Sequence, residues 1–167
     1  PQETVQESSD LLQFIPVSRL PVKDNILKFD QINHKSPTLI MGILNMTPDS
    51  FSDGGKHFGK ELDNIVKQAE KLVSEGATII DIGGVSTRPG SVEPTEEEEL
   101  ERVIPLIRAI RQSLNPDLLK VLISVDTYRS NVAEQSLLVG ADIINDISMG
   151  KYDEKIFDVV AKYGCPY

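Results

Sequence analysis

KVLISVDTYRSNVAEQSLLVGADIIN, residues 120–145, decides the fold. It opens on an apolar run, KVLISV, that ends against Asp126. A helical pattern follows, from a capping candidate at Ser130 to a stop at Gly140. A second apolar run, ADIIN, then ends at Asn145. Both runs are apolar on both sides of the pleat, as strands of a parallel sheet covered on two faces should be. Two such strands joined by a helix form one β-α-β unit, and the unit repeats outward.

Upstream, TLIMGIL (38–44) and ATIIDIG (77–83) read as two more strands. The first is followed by KELDNIVKQAEKLVSEG, whose Leu62, Ile65, Val66, Ala69, Leu72 and Val73 recur at helical spacing before Gly76. The second is followed by TEEEELERVIPLIRAIRQSL, where Thr95 and Glu98 form a capping box and Pro105 predicts a kink or break. Downstream, DEKIFDVVAKYG predicts a helix from Asp153 to Gly164.

Strand and helix therefore alternate four times, which specifies an α/β fold with a parallel sheet. Asn45, Asp81, Asp126 and Asn145 stand at or near the C-terminal ends of four different strands. Polar groups at that edge are the habit of a (β/α)8 TIM barrel, whose active sites gather there. A doubly wound nucleotide binder would place its glycine-rich turn after the first strand, and here the glycines follow the second. A complete barrel takes roughly 250 residues, so this chain is read as about the first four β/α units of one, continuing past Tyr167. Residues 38–167 form that N-terminal part. Residues 1–37, polar and then proline-punctuated, read as a linker and lead-in that could hold short strands.

The chain has 167 residues, 40% of them hydrophobic, and a net charge of −9. That charge argues against a nucleic-acid or acidic-membrane partner, and no apolar run approaches the roughly 20 residues of a membrane span. One cysteine, Cys165, excludes an intrachain disulfide and fits a reducing, intracellular setting. His34 and His57 lack metal-ligand spacing. The glutamates of residues 96–99 suit the first turn of a helix through its dipole and read as a solvated face.

Three stretches carry chemistry. NMTPDSFSDGG (45–55) is long for a strand-to-helix loop. Phe51 has no apolar neighbours there and suits a flat ligand, Asn45 offers an uncharged oxygen for a hydrated cation, and Asp53 precedes two glycines. In DIGGVSTRPG (81–90) two glycines permit close approach, and Thr87 and Arg88 supply donors suited to anions before Pro89 stiffens the turn. Asp126, Asn145 and Asp146 could read the donor and acceptor edge of a heterocycle. As isolated residues each would equally serve as a helix cap.

Together GILNMTPDSFSDGG, DIGGVSTRPG, SVDT and INDIS resemble the successive motifs of dihydropteroate synthase, in order, across about Thr38 to Tyr167. The resemblance implies a (β/α)8 barrel that joins p-aminobenzoate to 6-hydroxymethyl-7,8-dihydropterin pyrophosphate, releasing pyrophosphate, in folate biosynthesis. It implies that Asn45 touches Mg2+ on the pyrophosphate. Phe51 and Asp53 would lie in a closing loop, with Asp53 stabilising the cationic pterin methylene. Thr87, Arg88 and Pro89 would shape the p-aminobenzoate pocket, Asp126 and Asn145 would bind the pterin, and Asp146 would sit beside that pocket. Val85 departs from the glutamate common among bacterial members. The leader is similar to the segment preceding the synthase in fungal-type fusions, which implies an upstream pterin pyrophosphokinase domain. A homodimer, and a cytoplasmic or mitochondrial location, also follow from the resemblance. The rival expectations are a pterin-binding methyltransferase domain, which should lack the STRPG and TPDSFSDGG loops, and a non-catalytic homologue or fragment.

Overall fold

The structure is a computed structural model that describes residues 20–22, 25–27, 38–46, 58–84 and 93–167. In the lead-in, β1 (Leu20–Val22) and β2 (Asn25–Leu27) pair antiparallel.

The predicted alternation is present. Strands β3 (Met41–Asn45), β4 (Ile79–Gly83), β5 (Leu122–Asp126) and β6 (Ile143–Asn145) form one sheet in sequential order, every pair parallel. Helix α1 (Phe58–Ser74) connects β3 to β4. Helices α2 (Glu96–Arg111) and α3 (Pro116–Lys120) connect β4 to β5, and α4 (Ser130–Leu138) connects β5 to β6. Helix α5 (Ile156–Tyr163) follows β6. Sequential strand order with a helix in every crossover is how a (β/α)8 barrel grows, and these four units have that architecture. Beyond α5, Ile144 N–H donates to the Pro166 carbonyl at 3.0 Å, which brings the chain alongside β6 where the alternation places the next strand.

One face of the sheet meets the helices. Leu44, Ile80, Ile82, Ile123, Val125 and Ile144 pack there against Val103, Leu106, Ile107 and Ile110 of α2 and against Ile65 and Ala69 of α1. Leu62, Val66, Leu72 and Val73 pack against the same core, so the helical spacing of α1 names its buried stripe correctly. Gly76, at φ +107°, ends that helix in a conformation that favours glycine.

Four expectations need correction. First, Pro105 neither breaks nor ends α2, which runs unbroken from Glu96 to Arg111. The carbonyl that loses its partner belongs to exposed Glu101, where water can replace the missing donor. Second, Ser130 is not the cap of α4. Arg129 holds that position without a side-chain bond, and Asp153 accepts from Ser130 N–H at 2.8 Å instead. Third, Asp153 does not open α5, which begins at Ile156. Fourth, β3 is not covered on both faces by the described residues: it stands at one end of the described sheet, and Met41 and Ile43 are exposed on the side opposite Leu44.

Candidate functional site

In a parallel sheet, residues paired across neighbouring strands project to the same side. The registers Asn45–Gly83, Gly83–Asp126 and Asp126–Asn145 therefore form one transverse row at the C-terminal edge of the sheet, on the face turned away from the helices. Two residues deeper, the same face carries a second row of Ile43, Asp81, Ser124 and Ile143. Beneath that, Ile79 and Leu122 join Ile143 in a small buried apolar cluster. The face thus grades from apolar floor to polar rim. Gly83, the one row position without a side chain, leaves room beside Asp126.

The polar groups of this face are linked. Asn145 Nδ2 donates to Asp81 Oδ2 at 3.2 Å. Asp81 is buried, and its other oxygen has no hydrogen-bond partner among the described residues; nor does the buried Ser124 hydroxyl beside it. Burial, and then the neighbouring carboxylates of Asp81, Glu99 and Asp146, push the Asp126 carboxyl up to about 6. An acidic group held under-solvated at a strand edge gains most from a ligand that brings N–H donors.

Asp146 is differently employed. Its Oδ1 accepts from Ser148 N–H at 2.7 Å, and its Oδ2 accepts from Gly150 N–H at 2.8 Å and from the Tyr167 hydroxyl at 2.9 Å. Partial burial pushes this carboxyl up, but the Gly150 and Ser148 hydrogen bonds outweigh it and hold it below the usual carboxylate range. Asp146 thus organises the loop after β6. The structure brings Asp126 and Asn145 together and gives Asp146 this turn-closing task beside them.

A cluster behind the edge was invisible in sequence. Glu99, read as part of a solvated face, is fully buried. Its Oε2 accepts from Arg129 Nη1, and Arg129 Nη2 also donates to the Pro94 carbonyl at 2.7 Å. Arg129 lies over the Tyr128 ring, and the Tyr128 hydroxyl donates to Glu93. Gly84 makes the space for Glu99: a Cβ there would stand 2.7 Å from Glu99 Cγ and 2.9 Å from Val103 Cγ2. The one sequence signal was spacing, because Glu99 lies four residues before Val103 on the buried stripe of α2.

Asn45 occupies the edge row by its backbone register. Phe51, Asp53, Thr87, Arg88 and Pro89 lie outside the described residues. Among the described residues no group of three or more His, Cys, Asp or Glu is placed to hold a metal ion, and no helix is long and apolar enough to cross a membrane.

A family model described as pterin binding enzyme matches residues 41–167, which takes in every strand of the parallel sheet. The chain belongs to the pterin-binding enzyme family. It is 54% identical over 126 residues to a dihydropteroate synthase of Staphylococcus haemolyticus, covering 75% of this chain and 44% of that protein. It is 49% identical over 151 residues to the folic acid synthesis protein fol1 of Pneumocystis carinii, covering 90% of this chain and 20% of that protein. Among solved structures, a dihydropteroate synthase from Clostridium difficile, crystallised in the presence of pteroic acid, superposes with a TM-score of 0.66 at 46% identity, over 75% of this chain and 45% of that one. The chain thus spans less than half the length of these relatives, which is the share expected of half a barrel.

Proposed function

We propose that the polypeptide containing this chain is a dihydropteroate synthase, which condenses p-aminobenzoate with 6-hydroxymethyl-7,8-dihydropterin pyrophosphate and releases pyrophosphate. The observation that carries this reading is the edge row of Asn45, Gly83, Asp126 and Asn145 on the helix-free face, in a chain whose family binds pterins. A pterin presents ring N–H and exocyclic amino donors along one edge. Asp126 supplies a carboxylate and Asn145 an amide oxygen to receive them. Gly83 leaves the space between strands in which a flat ring can lie.

Departure of pyrophosphate leaves positive charge on the pterin methylene, and a carboxylate aimed at it lowers the barrier. Asp53 takes that role here, with Phe51 covering the ring. Thr87, Arg88 and Pro89 hold p-aminobenzoate, whose carboxylate matches a planar guanidinium. The neutral aromatic amine attacks the methylene, and the strongly acidic arylammonium so formed loses its proton to water without needing a dedicated base. Asn45, with an uncharged side-chain oxygen suited to a hard cation, would be the residue here that holds Mg2+. When bound, it would offset charge on the leaving group. The fungal relative, of which this chain matches a fifth, supports a multidomain source polypeptide, and the proposal places a pterin pyrophosphokinase domain upstream in it. A homodimer and a cytoplasmic or mitochondrial location complete the proposal.

The test is product analysis. The complete polypeptide, given both substrates and Mg2+, should form 7,8-dihydropteroate only when p-aminobenzoate is present. Pterin binding without that product would contradict the assignment and favour a methyltransferase domain.

A further inference from the structure

Asp81 stands one step below the edge and has no place in the mechanism above. It is 6% exposed, in the deeper row of the helix-free face, with Ile143 in the same row and Ile79 and Leu122 beneath it. Stability does not explain it. A buried carboxylate with one unpartnered oxygen costs free energy, and an apolar side chain of the same volume would extend the cluster below. What Asp81 does have, among the described residues, is one hydrogen bond, from Asn145 Nδ2 at 3.2 Å.

That bond is directional. A side-chain amide offers donors at one corner and an acceptor at the other, and an ordinary environment lets the two exchange by a half-turn of the amide plane. A carboxylate oxygen accepts only, so it selects the Nδ2 end. With Nδ2 committed inward to Asp81, Oδ1 occupies the opposite corner of the amide. The register places Asn145 beside Asp126, so two acceptors then stand next to each other in the edge row.

We propose that Asp81 is a positioning residue that fixes the Asn145 amide with its oxygen toward the ligand, so that the edge pairs with the donor side of a pterin and rejects heterocycles that present acceptors there. The proposal rests on the reading of this edge as a pterin site and adds the residue that sets its polarity. Asp81 acts through Asn145 and touches no substrate.

The experiment is a double-mutant cycle on the complete polypeptide, read by calorimetric binding of 6-hydroxymethyl-7,8-dihydropterin pyrophosphate. Asp81→Leu should weaken binding by about tenfold, the worth of one well-placed hydrogen bond, while the thermal midpoint stays level or rises. In an Asn145→Ala background the same change should cost nothing further, because the group through which Asp81 acts is gone. Should Asp81→Leu fail to fold, Asp81→Asn serves. Its amide can face Asn145 with either end, so a smaller loss of about threefold is expected, again abolished by Asn145→Ala. Wild-type affinity in the folded Asp81 variant, or an equal loss in both backgrounds, would overturn the proposal and leave the pterin reading intact. Absence of pterin binding by the wild-type polypeptide would overturn both.

Discussion

Arg129, in the loop after β5, donates to Glu99, a fully buried residue of α2 thirty positions earlier in the chain. The pair ties the first turn of α2 to the start of α4. The second guanidinium arm holds the Pro94 carbonyl, just ahead of the Thr95 cap of α2. Glu99 is thus the partner that keeps Arg129 at the C-terminal edge of the sheet, behind Asp126.

Removing the cation leaves a buried carboxylate without its partner, a change that costs about 3 kcal/mol in comparable buried pairs. Arg129→Met in the complete polypeptide should therefore lower the denaturant midpoint strongly, and Arg129→Lys less. Urea unfolding checks this. Equal stability of wild type and Arg129→Met would show that the pair contributes only geometry.

The opposite end of the sheet carries a second ion pair with a different consequence. Arg111 pairs with Asp142 and donates to the Gly140 carbonyl at 2.8 Å and the Val121 carbonyl at 2.9 Å. Asp142 in turn accepts from Ile123 N–H at 2.8 Å. This lies at the N-terminal edge, where barrel residues serve stability and not chemistry. Arg111→Ala should lower stability by about 3 kcal/mol and leave pterin affinity unchanged. Calorimetric unfolding and pterin titration of the same preparation separate the two effects.

Asp126 makes stability depend on pH. Its carboxyl is raised from 3.8 to about 6, first by burial and then by Asp81, Glu99 and Asp146. A raised carboxyl means that the native state holds its proton more tightly than the unfolded chain does. The resulting stabilisation is fully present below about pH 4 and is lost as pH rises through about 6. Asp126→Asn removes this dependence. Melting of ligand-free wild type and Asp126→Asn from pH 4 to 7 should show the variant gaining on wild type as pH rises, and parallel curves would contradict the assignment.

The elements that sequence reveals are those set by local periodicity. Four apolar runs predict four strands, and because each run ends near a defined polar residue, the sequence alone places Asn45, Asp126 and Asn145 at one edge. The Thr95–Glu98 capping box is present as read, since both partners lie within one turn. What sequence withholds is the long-range partner. The dipole argument for residues 96–99 treats four glutamates alike, yet one faces inward toward an arginine on another loop. Asp153 likewise looks like a helix start, but its oxygens divide between Lys155 N–H at 3.1 Å, just ahead of α5, and Ser130 N–H at 2.8 Å, on a different helix. Pro105 does not break its helix because the cost of a lost hydrogen bond depends on whether water can reach the orphaned carbonyl. The polarity of Asn145 required the contact with Asp81, which lies 64 positions earlier.

The central claim is that Asp126, in the row with Gly83 and Asn145, forms a pterin edge. Titrating the complete polypeptide with 6-hydroxymethyl-7,8-dihydropterin pyrophosphate, wild type against Asp126→Ala, tests it most directly. Loss of hydrogen bonds to a carboxylate should weaken binding by roughly tenfold to a hundredfold with the fold retained. Unchanged pterin affinity in a folded Asp126→Ala protein would contradict the account.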